Sequence, residues 1–130
     1  MKAGSDMKIS SYQDVKALKA EEGAAKVNVR WLISREMGAE NFAMRLFEVE
    51  PDGYSPLHSH PWEHEIFVLE GKGLATDGKN GKEFKEDDFI FIPSGEMHQL
   101  RNTSQGVLRF ICLIPYKQNE KMVQNHKCAC

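Results

Sequence analysis

Short apolar runs rich in β-branched and aromatic residues fill the middle of the chain, and turn residues separate them. Patterns of helical period are nearly absent. We therefore predict about eight strands. Six are single runs, over residues 26–33, 42–50, 65–71, 88–93, 98–104 and 106–115, and the other two form a hairpin with a polar tip over 72–86. The stretch "PDGYSP" (51–56) carries proline and glycine and predicts a turn.

Several of the predicted strands are apolar on both faces, among them "FVL", "FIFI" and "RFICLI". Such strands are covered on both sides, by a second sheet or by a partner chain. The pattern predicts an all-β, antiparallel sandwich or barrel, and the apolar outer faces predict a homodimer. We expect one domain over 26–116, a lead-in segment over 1–25 that lies across it or forms one helical turn, and a polar tail over 117–130.

Length and charge narrow the class of protein. The 130 residues fit one domain, and 41% of them are apolar, which is enough for a core without disulfide or metal staples. A formal net charge of -2 offers no basic field to a phosphate backbone, so nucleic acid is not an expected partner. No apolar run approaches the roughly 20 residues of a membrane span, and the N-terminus lacks a secretory apolar region. We expect no membrane contact and a cytoplasmic location.

The three cysteines are an odd count and too few for a disulfide framework. Cys112 lies in the run "VLRFICLIP" and is typical of a small buried apolar residue. Cys128 and Cys130 end the chain as "KCAC", which fits either a soft-metal or redox pair or a poorly ordered terminus. The second interpretation is favoured, because nothing nearby in the sequence would anchor this end.

Four of the five histidines have a spacing that suits metal binding. The stretch "HSHPWEHE" holds three of them, and His98 follows a Pro–Gly turn that opens a later strand. Since side chains at i and i+2 of a strand point the same way, His58 and His60 can both face inward from one strand end. A corner then allows His64 to re-enter on the face that Ile66 and Val68 share.

Strand ends from distant parts of a chain meet inside a small barrel, so these four imidazoles can converge on one divalent ion. The alternative for His58 and His60 alone is a polar pair at the start of a strand. His98 and His64 together favour the metal site over that alternative. His126 lies in the polar tail with no strand to position it, and we expect it to be solvated.

The histidines belong to two motifs through which residues 26–115 resemble a single-domain cupin. The first cupin motif is a glycine, His-x-His, a glutamate and a second glycine. Here it reads Gly53, His58, His60, His64 and Gly71, so that a histidine replaces the glutamate ligand. The gap between Gly53 and His58 is one residue shorter than the usual motif.

The second cupin motif, Pro-x-Gly-x-x-His-x-x-x-Asn, is matched by Pro93, Gly95, His98 and Asn102. Asn102 shares the strand parity of His98, yet it serves the following turn as readily as the site. The glycine that usually stands six residues before the proline is Asp87 here. This departure weakens the turn and leaves the ligand set unchanged.

The resemblance implies a fold, a cofactor and an assembly. The fold is the cupin double-stranded β-helix, a jelly-roll barrel of two antiparallel sheets, and dimers are common. The small cupins with four histidine ligands often hold manganese in an octahedral site with two open positions. Iron, nickel, zinc or copper would also suit imidazole, and tetrahedral zinc would instead make a closed, structural site.

Other residues are candidates for the substrate pocket. Phe110 and Cys112 share one face of the last strand, and by resemblance that face looks toward the metal. Arg45 interrupts the apolar run "FAMRLFEV", either as a group that orients an anion beside the metal or as an outward residue of a dimer interface. Trp62 either caps the cavity mouth or packs against the sheet.

Three functions stay open from the sequence. The first is a metal-dependent, oxygenase-type enzyme acting on a small polar or anionic molecule, favoured because no motif residue is a dedicated general base. The second is a metal-dependent isomerase of a sugar or uronate. The third is a non-catalytic module that binds a small molecule. No catalytic residue is assigned, since the cupin fold hosts all three chemistries.

Overall fold

The computed structural model describes residues 6–20 and 22–116. Nine strands form over these residues: β1 (Leu18–Lys19), β2 (Ala25–Ile33), β3 (Phe42–Tyr54), β4 (His64–Glu70), β5 (Lys72–Thr76), β6 (Gly81–Lys85), β7 (Phe89–Ile92), β8 (Gln99–Asn102) and β9 (Leu108–Pro115). Two single 3-10 turns, Tyr12–Asp14 and Arg35–Met37, are the helical elements of the described part. None of its helices has the length and apolarity that a membrane crossing requires.

Each strand pairing is antiparallel, and the sheet runs in the order β6-β5-β8-β3-β9-β4-β7. β2 also pairs with β3, and the short β1 pairs with β2. The long strand β3 therefore contacts β2, β9 and, at its end, β8, which curls the sheet around one core. The predicted all-β, antiparallel barrel class is confirmed.

The turn predicted over residues 51–56 is wrong, because β3 continues through the first part of it. The pairing with β2 skips residues 50–53, which form a bulge in which Asp52 has a φ of 70°. A Cβ on Gly53 would lie 2.7 Å from the carbonyl oxygen of Ala25, so only glycine allows the two strands to approach this closely. The proline and glycine here mark a bulge, which interrupts the pairing of a strand without ending the strand.

Inward side chains form rows that cross the sheet from strand to strand. One row consists of the paired residues Ile90, Ile66, Cys112, Arg45 and Trp31. The next row consists of Val68, Phe110, Phe47 and Val29, which are all fully buried. The Phe47 and Phe110 rings stack with centroids 5.1 Å apart, so this second row packs as the centre of the core.

Residues 12–15 of the lead-in segment lie across the outer face of the sheet. Tyr12 packs between the guanidinium groups of Arg30 and Arg109, whose carbon atoms lie 5.3 and 4.6 Å from its ring centroid. Arg30 also donates to the backbone carbonyls of Tyr12 and Val15 at 3.2 and 2.7 Å. Glu48 forms an ion pair with each arginine, at 3.1 and 3.7 Å, and offsets part of their positive charge.

Candidate metal centre

Backbone hydrogen bonds join the two histidine motifs. His58 and His98 form an isolated antiparallel bridge, in which the N–H of each donates to the carbonyl of the other at 3.1 and 2.8 Å. The N–H of Gly95 donates to the carbonyl of His60 at 2.7 Å. His64 begins β4 opposite Ile92 and is completely buried. Remote segments of the chain are therefore fixed to each other at the histidines.

The four imidazole rings form one cluster. Centroid separations are 4.3 Å for His58–His60, 4.8 Å for His58–His98 and 4.7 Å for His64–His98. His60 lies 5.5 Å from His64 and 6.0 Å from His98. His60 and His98 are nearly buried, at 8% and 5% exposure, and His58 is half-buried. The structure thus brings all four predicted histidines together inside the barrel.

Ring spacing is one test of whether these residues fit a metal ion. Around one ion bound at about 2.1 Å, centroids of neighbouring imidazoles lie about 4.6 Å apart at right angles and about 5.3 Å apart at tetrahedral angles. The separations of 4.3 to 6.0 Å span these values. The spacing of the rings therefore fits a single ion held by the four histidines.

The direction of the nitrogen atoms is a second test, and it gives a different result. Within residues 6–20 and 22–116, no group of three or more His, Cys, Asp or Glu side chains is arranged to hold an ion as it stands. The terminal torsion of histidine is soft, and rotation about the Cβ–Cγ bond turns the nitrogens while moving the centroid little. Ring positions suit an ion here, and binding by all four histidines would require some of the rings to turn.

His98 is held by a hydrogen bond of its own ring. Its Nδ1 lies 2.9 Å from the backbone carbonyl oxygen of Glu96. A carbonyl oxygen only accepts, so Nδ1 carries the proton and Nε2 keeps the lone pair that a metal would use. Metal-binding histidines commonly donate such a hydrogen bond from the ring nitrogen that does not face the ion. Sequence reasoning missed it, because the acceptor is main chain.

Trp62 stacks on His60. The two ring centroids are 4.3 Å apart and the planes differ by 5°. Trp62 is 1% exposed and belongs to the hydrophobic core. Its position therefore matches packing against the sheet and not a cap on the cavity mouth. The spacing of two residues between His60 and Trp62 is the signal from which this stack could have been predicted.

Arg45 and Cys112 lie inside the barrel, which makes the outward interpretation of Arg45 wrong. Arg45 is 0% exposed, and its Nη2 donates to Cys112 Sγ at 3.1 Å. The guanidinium lies over the Phe47 and Trp31 rings, at 5.0 and 5.4 Å from their centroids. These aromatic faces stabilise a cation that is out of water. Trp31 was not among the predicted pocket residues, although strand register pairs it with Arg45.

The row that contains Arg45 and Cys112 borders the histidine cluster. Cys112 pairs with Ile66, and Ile66 is two residues from His64 on the buried face of β4. Phe110 lies one row further from His64, where it stacks in the core. Arg45 and Cys112 are therefore the predicted pocket residues that flank the histidines, and Phe110 packs behind them.

Asn102 organises the turn between β8 and β9. Its side-chain nitrogen donates to the carbonyls of Val49 and Gly106 at 2.8 and 2.9 Å. Its oxygen accepts from the N–H of Ser104 at 2.8 Å. These bonds give Asn102 a structural role in the turn. The predictions for His126, Cys128 and Cys130 fall outside the described residues.

Comparison with known proteins agrees with the fold and the motifs. Residues 45–114 match the family described as Cupin domain, and the chain belongs to this family. It is 33% identical over 96 residues to an oxalate-binding protein of Thermotoga maritima, an alignment that covers 71% of this chain and 78% of that protein. The antiparallel barrel is thus a cupin jelly roll.

Two further relatives carry the names of enzymes. The structure of the polyketide cyclase RemF from Streptomyces resistomycificus is 39% identical with a TM-score of 0.78, covering 84% of this chain and 79% of that one. A 1-methylthio-D-xylulose 5-phosphate methylsulfurylase of Rhodospirillum rubrum is 34% identical over 71 residues, which are 55% of this chain. That alignment spans about half of the methylsulfurylase, 46% of its length.

Proposed function

We propose that this cupin is a metal-dependent enzyme that acts on a small, oxygen-bearing, anionic molecule. One divalent transition ion, manganese first and iron, nickel, zinc or copper as alternatives, would be held by His58, His60, His64 and His98. The observation that carries the proposal is the clustering of four imidazole rings from two remote motifs, with centroids 4.3 to 6.0 Å apart. Their spacing supports one shared ion.

Four neutral imidazoles leave the double positive charge of such an ion uncancelled, so it would act as a Lewis acid toward oxygen atoms. The residues of the chain prepare the surroundings for that chemistry. Nδ1 of His98, bonded to the Glu96 carbonyl, keeps its proton and presents Nε2. Arg45 supplies a buried positive charge in the row of side chains beside the histidines and could orient a carboxylate or enolate.

Two reaction classes compete for this site. Oxygenase chemistry is the version that the sequence favours, because no residue of the motifs is a dedicated general base. Ring closure without net oxidation is favoured by the similarity to the polyketide cyclase RemF over 84% of the chain. Both versions use the same histidines and the same buried arginine, and they differ in whether oxygen is consumed.

A third possibility is binding without turnover, and the similarity to an oxalate-binding protein supports it. In this version a small dicarboxylate would be held between two positively charged groups, the ion and the Arg45 guanidinium. Binding that saturates with no product formed would select it over both enzyme versions.

The experiment begins with elemental analysis of the purified protein. Metal-free protein is then loaded separately with manganese, iron and zinc and incubated with linear polyketones, diketones and oxalate, with and without oxygen. Turnover with zinc and without oxygen selects cyclisation, and oxygen uptake with manganese or iron alone selects the oxygenase. His64→Asn is the inactive control. A protein that retains no transition ion at neutral pH would contradict the proposal.

We also propose that the chain forms a homodimer through the outer face of β4, β7 and β9. Phe67, Phe89 and Phe91 are 45%, 82% and 54% exposed there. Ile111 and Leu113 continue the apolar surface onto β9. A contiguous apolar face of this kind on a small protein is typical of an interface. A second copy would cover the aromatic side chains on both partners at once.

A further inference from the structure

We propose that Trp62 is a positioning residue that orients the His60 ring for the metal ion. The inference rests on the proposed metal site and goes beyond it, because it assigns a role to a residue that would not touch the ion. The observation is the face-to-face stack of the two rings, 4.3 Å apart with planes within 5°. No other pair among the described ring contacts is as nearly parallel.

The stack restrains the one motion that matters for ligation. An imidazole binds a metal in the plane of its ring, through the lone pair of a nitrogen atom. Because the terminal torsion of histidine is soft, backbone position alone does not set that plane. An indole lying flat on the ring fixes the plane and does not itself occupy either nitrogen-bearing edge. Stacking therefore restrains direction without competing for the donor atom.

The backbone around the stack is also held. Pro61 separates the two aromatic residues and limits the chain between them. The carbonyl of His60 accepts the N–H of Gly95 at 2.7 Å, which fixes the main chain on the histidine side. Trp62 is 1% exposed and packs in the hydrophobic core, which fixes the indole. Because both the Trp62 indole and the main chain around Pro61 are held, the His60 ring keeps the same plane.

The histidines of the cluster thus obtain their orientation in different ways. His98 uses the hydrogen bond from Nδ1 to the Glu96 carbonyl. Outer contacts of that kind change metal affinity by roughly 10- to 100-fold when they are removed. We assign the same kind of contribution to Trp62, carried by a flat apolar face in place of a hydrogen bond.

The chain provides a matched control for the test. It contains two tryptophans, and Trp31 lies over the Arg45 guanidinium at 5.4 Å. Trp31→Phe leaves Trp62 as the only indole, and Trp62→Phe leaves Trp31. Trp62→Leu removes the flat ring and keeps an apolar side chain. Each protein is titrated with Co2+ alone, an open-shell ion that imidazole binds and that quenches indole emission.

We expect Co2+ affinity to fall roughly 10-fold in Trp62→Leu and to recover most of that loss in Trp62→Phe, which restores a flat ring. Affinity should not change in Trp31→Phe. Emission of Trp62 in the Trp31→Phe protein should be quenched in proportion to bound Co2+, and more strongly than emission of Trp31 in the Trp62→Phe protein. Thermal unfolding of each metal-free variant checks its fold.

Several results would overturn the inference. A folded Trp62→Leu protein with wild-type affinity for Co2+ removes the positioning role. Equal quenching of the two tryptophans removes the contact on which the role depends, and this comparison decides the question even if Trp62→Leu does not fold. Wild-type protein that binds no Co2+ overturns the metal site itself, which is a different result from loss of the Trp62 effect.

Discussion

The main chains of His58 and His98 are paired, each N–H donating to the carbonyl of the other at 3.1 and 2.8 Å. Residues directly opposite in an antiparallel pair place their side chains on the same face of the sheet. The two imidazoles therefore lie side by side because of backbone bonds, with centroids 4.8 Å apart. Changing either side chain leaves the bridge in place, which makes single substitutions informative.

Metal should stabilise the wild-type protein and fail to stabilise ligand variants. An ion that binds only the folded chain adds about 2.7 kcal/mol to the free energy of unfolding at 100 times its dissociation constant. We expect this increment in the wild type and its loss in His64→Asn and His98→Asn. Thermal unfolding with and without metal measures it. His126→Asn is the control, and an unchanged increment in the ligand variants would contradict the site.

Arg45→Met should separate substrate binding from stability. The guanidinium is fully out of water, and burying a charge costs several kcal/mol of desolvation that an apolar side chain of similar volume does not incur. We expect unchanged or higher stability in urea, together with a KM raised roughly 10-fold or more for an anionic substrate. A stable variant with wild-type KM would show that Arg45 has no part in substrate binding.

Charge on the outer aromatic face should prevent dimer formation. Phe89 and Phe91 are 82% and 54% exposed, so glutamate at both positions costs the monomer little and places like charges at the proposed interface. We expect the wild type to elute as a dimer in size exclusion with light scattering, and Phe89→Glu/Phe91→Glu as a monomer. Val107→Glu, at the β8–β9 turn, is the control. A monomeric wild type would contradict the interface.

Asp87→Gly should stabilise the turn before β7. Asp87 has a φ of 76°, the left-handed region that glycine adopts without strain. We expect the free energy of unfolding to rise by up to about 1 kcal/mol. The neighbouring Glu86→Gly, at a residue without positive φ, should lower it by roughly 0.5–1 kcal/mol. Equal effects of the two substitutions would show that backbone strain at Asp87 is unimportant.

Asp77 should make the β5–β6 hairpin sensitive to acid. The N–H groups of Asn80 and Lys79 donate to its carboxylate at 2.7 and 2.8 Å and lower its pKa below 3.8. A lowered pKa contributes stability above the unfolded value, and this contribution is lost as the pH falls through the folded value. Asp77→Ala should therefore destabilise the protein in urea at neutral pH, and the difference from wild type should shrink below pH 3.8.

Much of the fold could be predicted from the chain, because alternation and turn residues carry it. The predicted strand over 65–71 is β4, and its buried residues alternate as His64, Ile66 and Val68 were expected to do. The bulge in β3 was missed, since Pro51 and Gly53 have the same local signature as a turn. Only the pairing with β2 distinguishes the two, and a single sequence does not contain it.

Convergence of the histidines could also be predicted, whereas their support could not. Two motifs indicated that His58, His60, His64 and His98 meet, and their rings do lie together. The carbonyl of Glu96 that holds His98 belongs to the main chain. Every residue type has such a carbonyl, so the sequence does not indicate this contact. The metal itself stays a prediction, because ligand direction depends on ring rotation.

The rows of inward side chains set limits on how this barrel can be altered. Phe47 and Phe110 are stacked and fully buried, and truncating either would cost about 3–5 kcal/mol, a large part of the stability of a small domain. Arg45 and Cys112, one row nearer the histidines, are joined by an N–H to sulfur hydrogen bond. Selection could therefore change specificity at Arg45 and Cys112. It would have to preserve Phe47 and Phe110, because the barrel depends on them for stability.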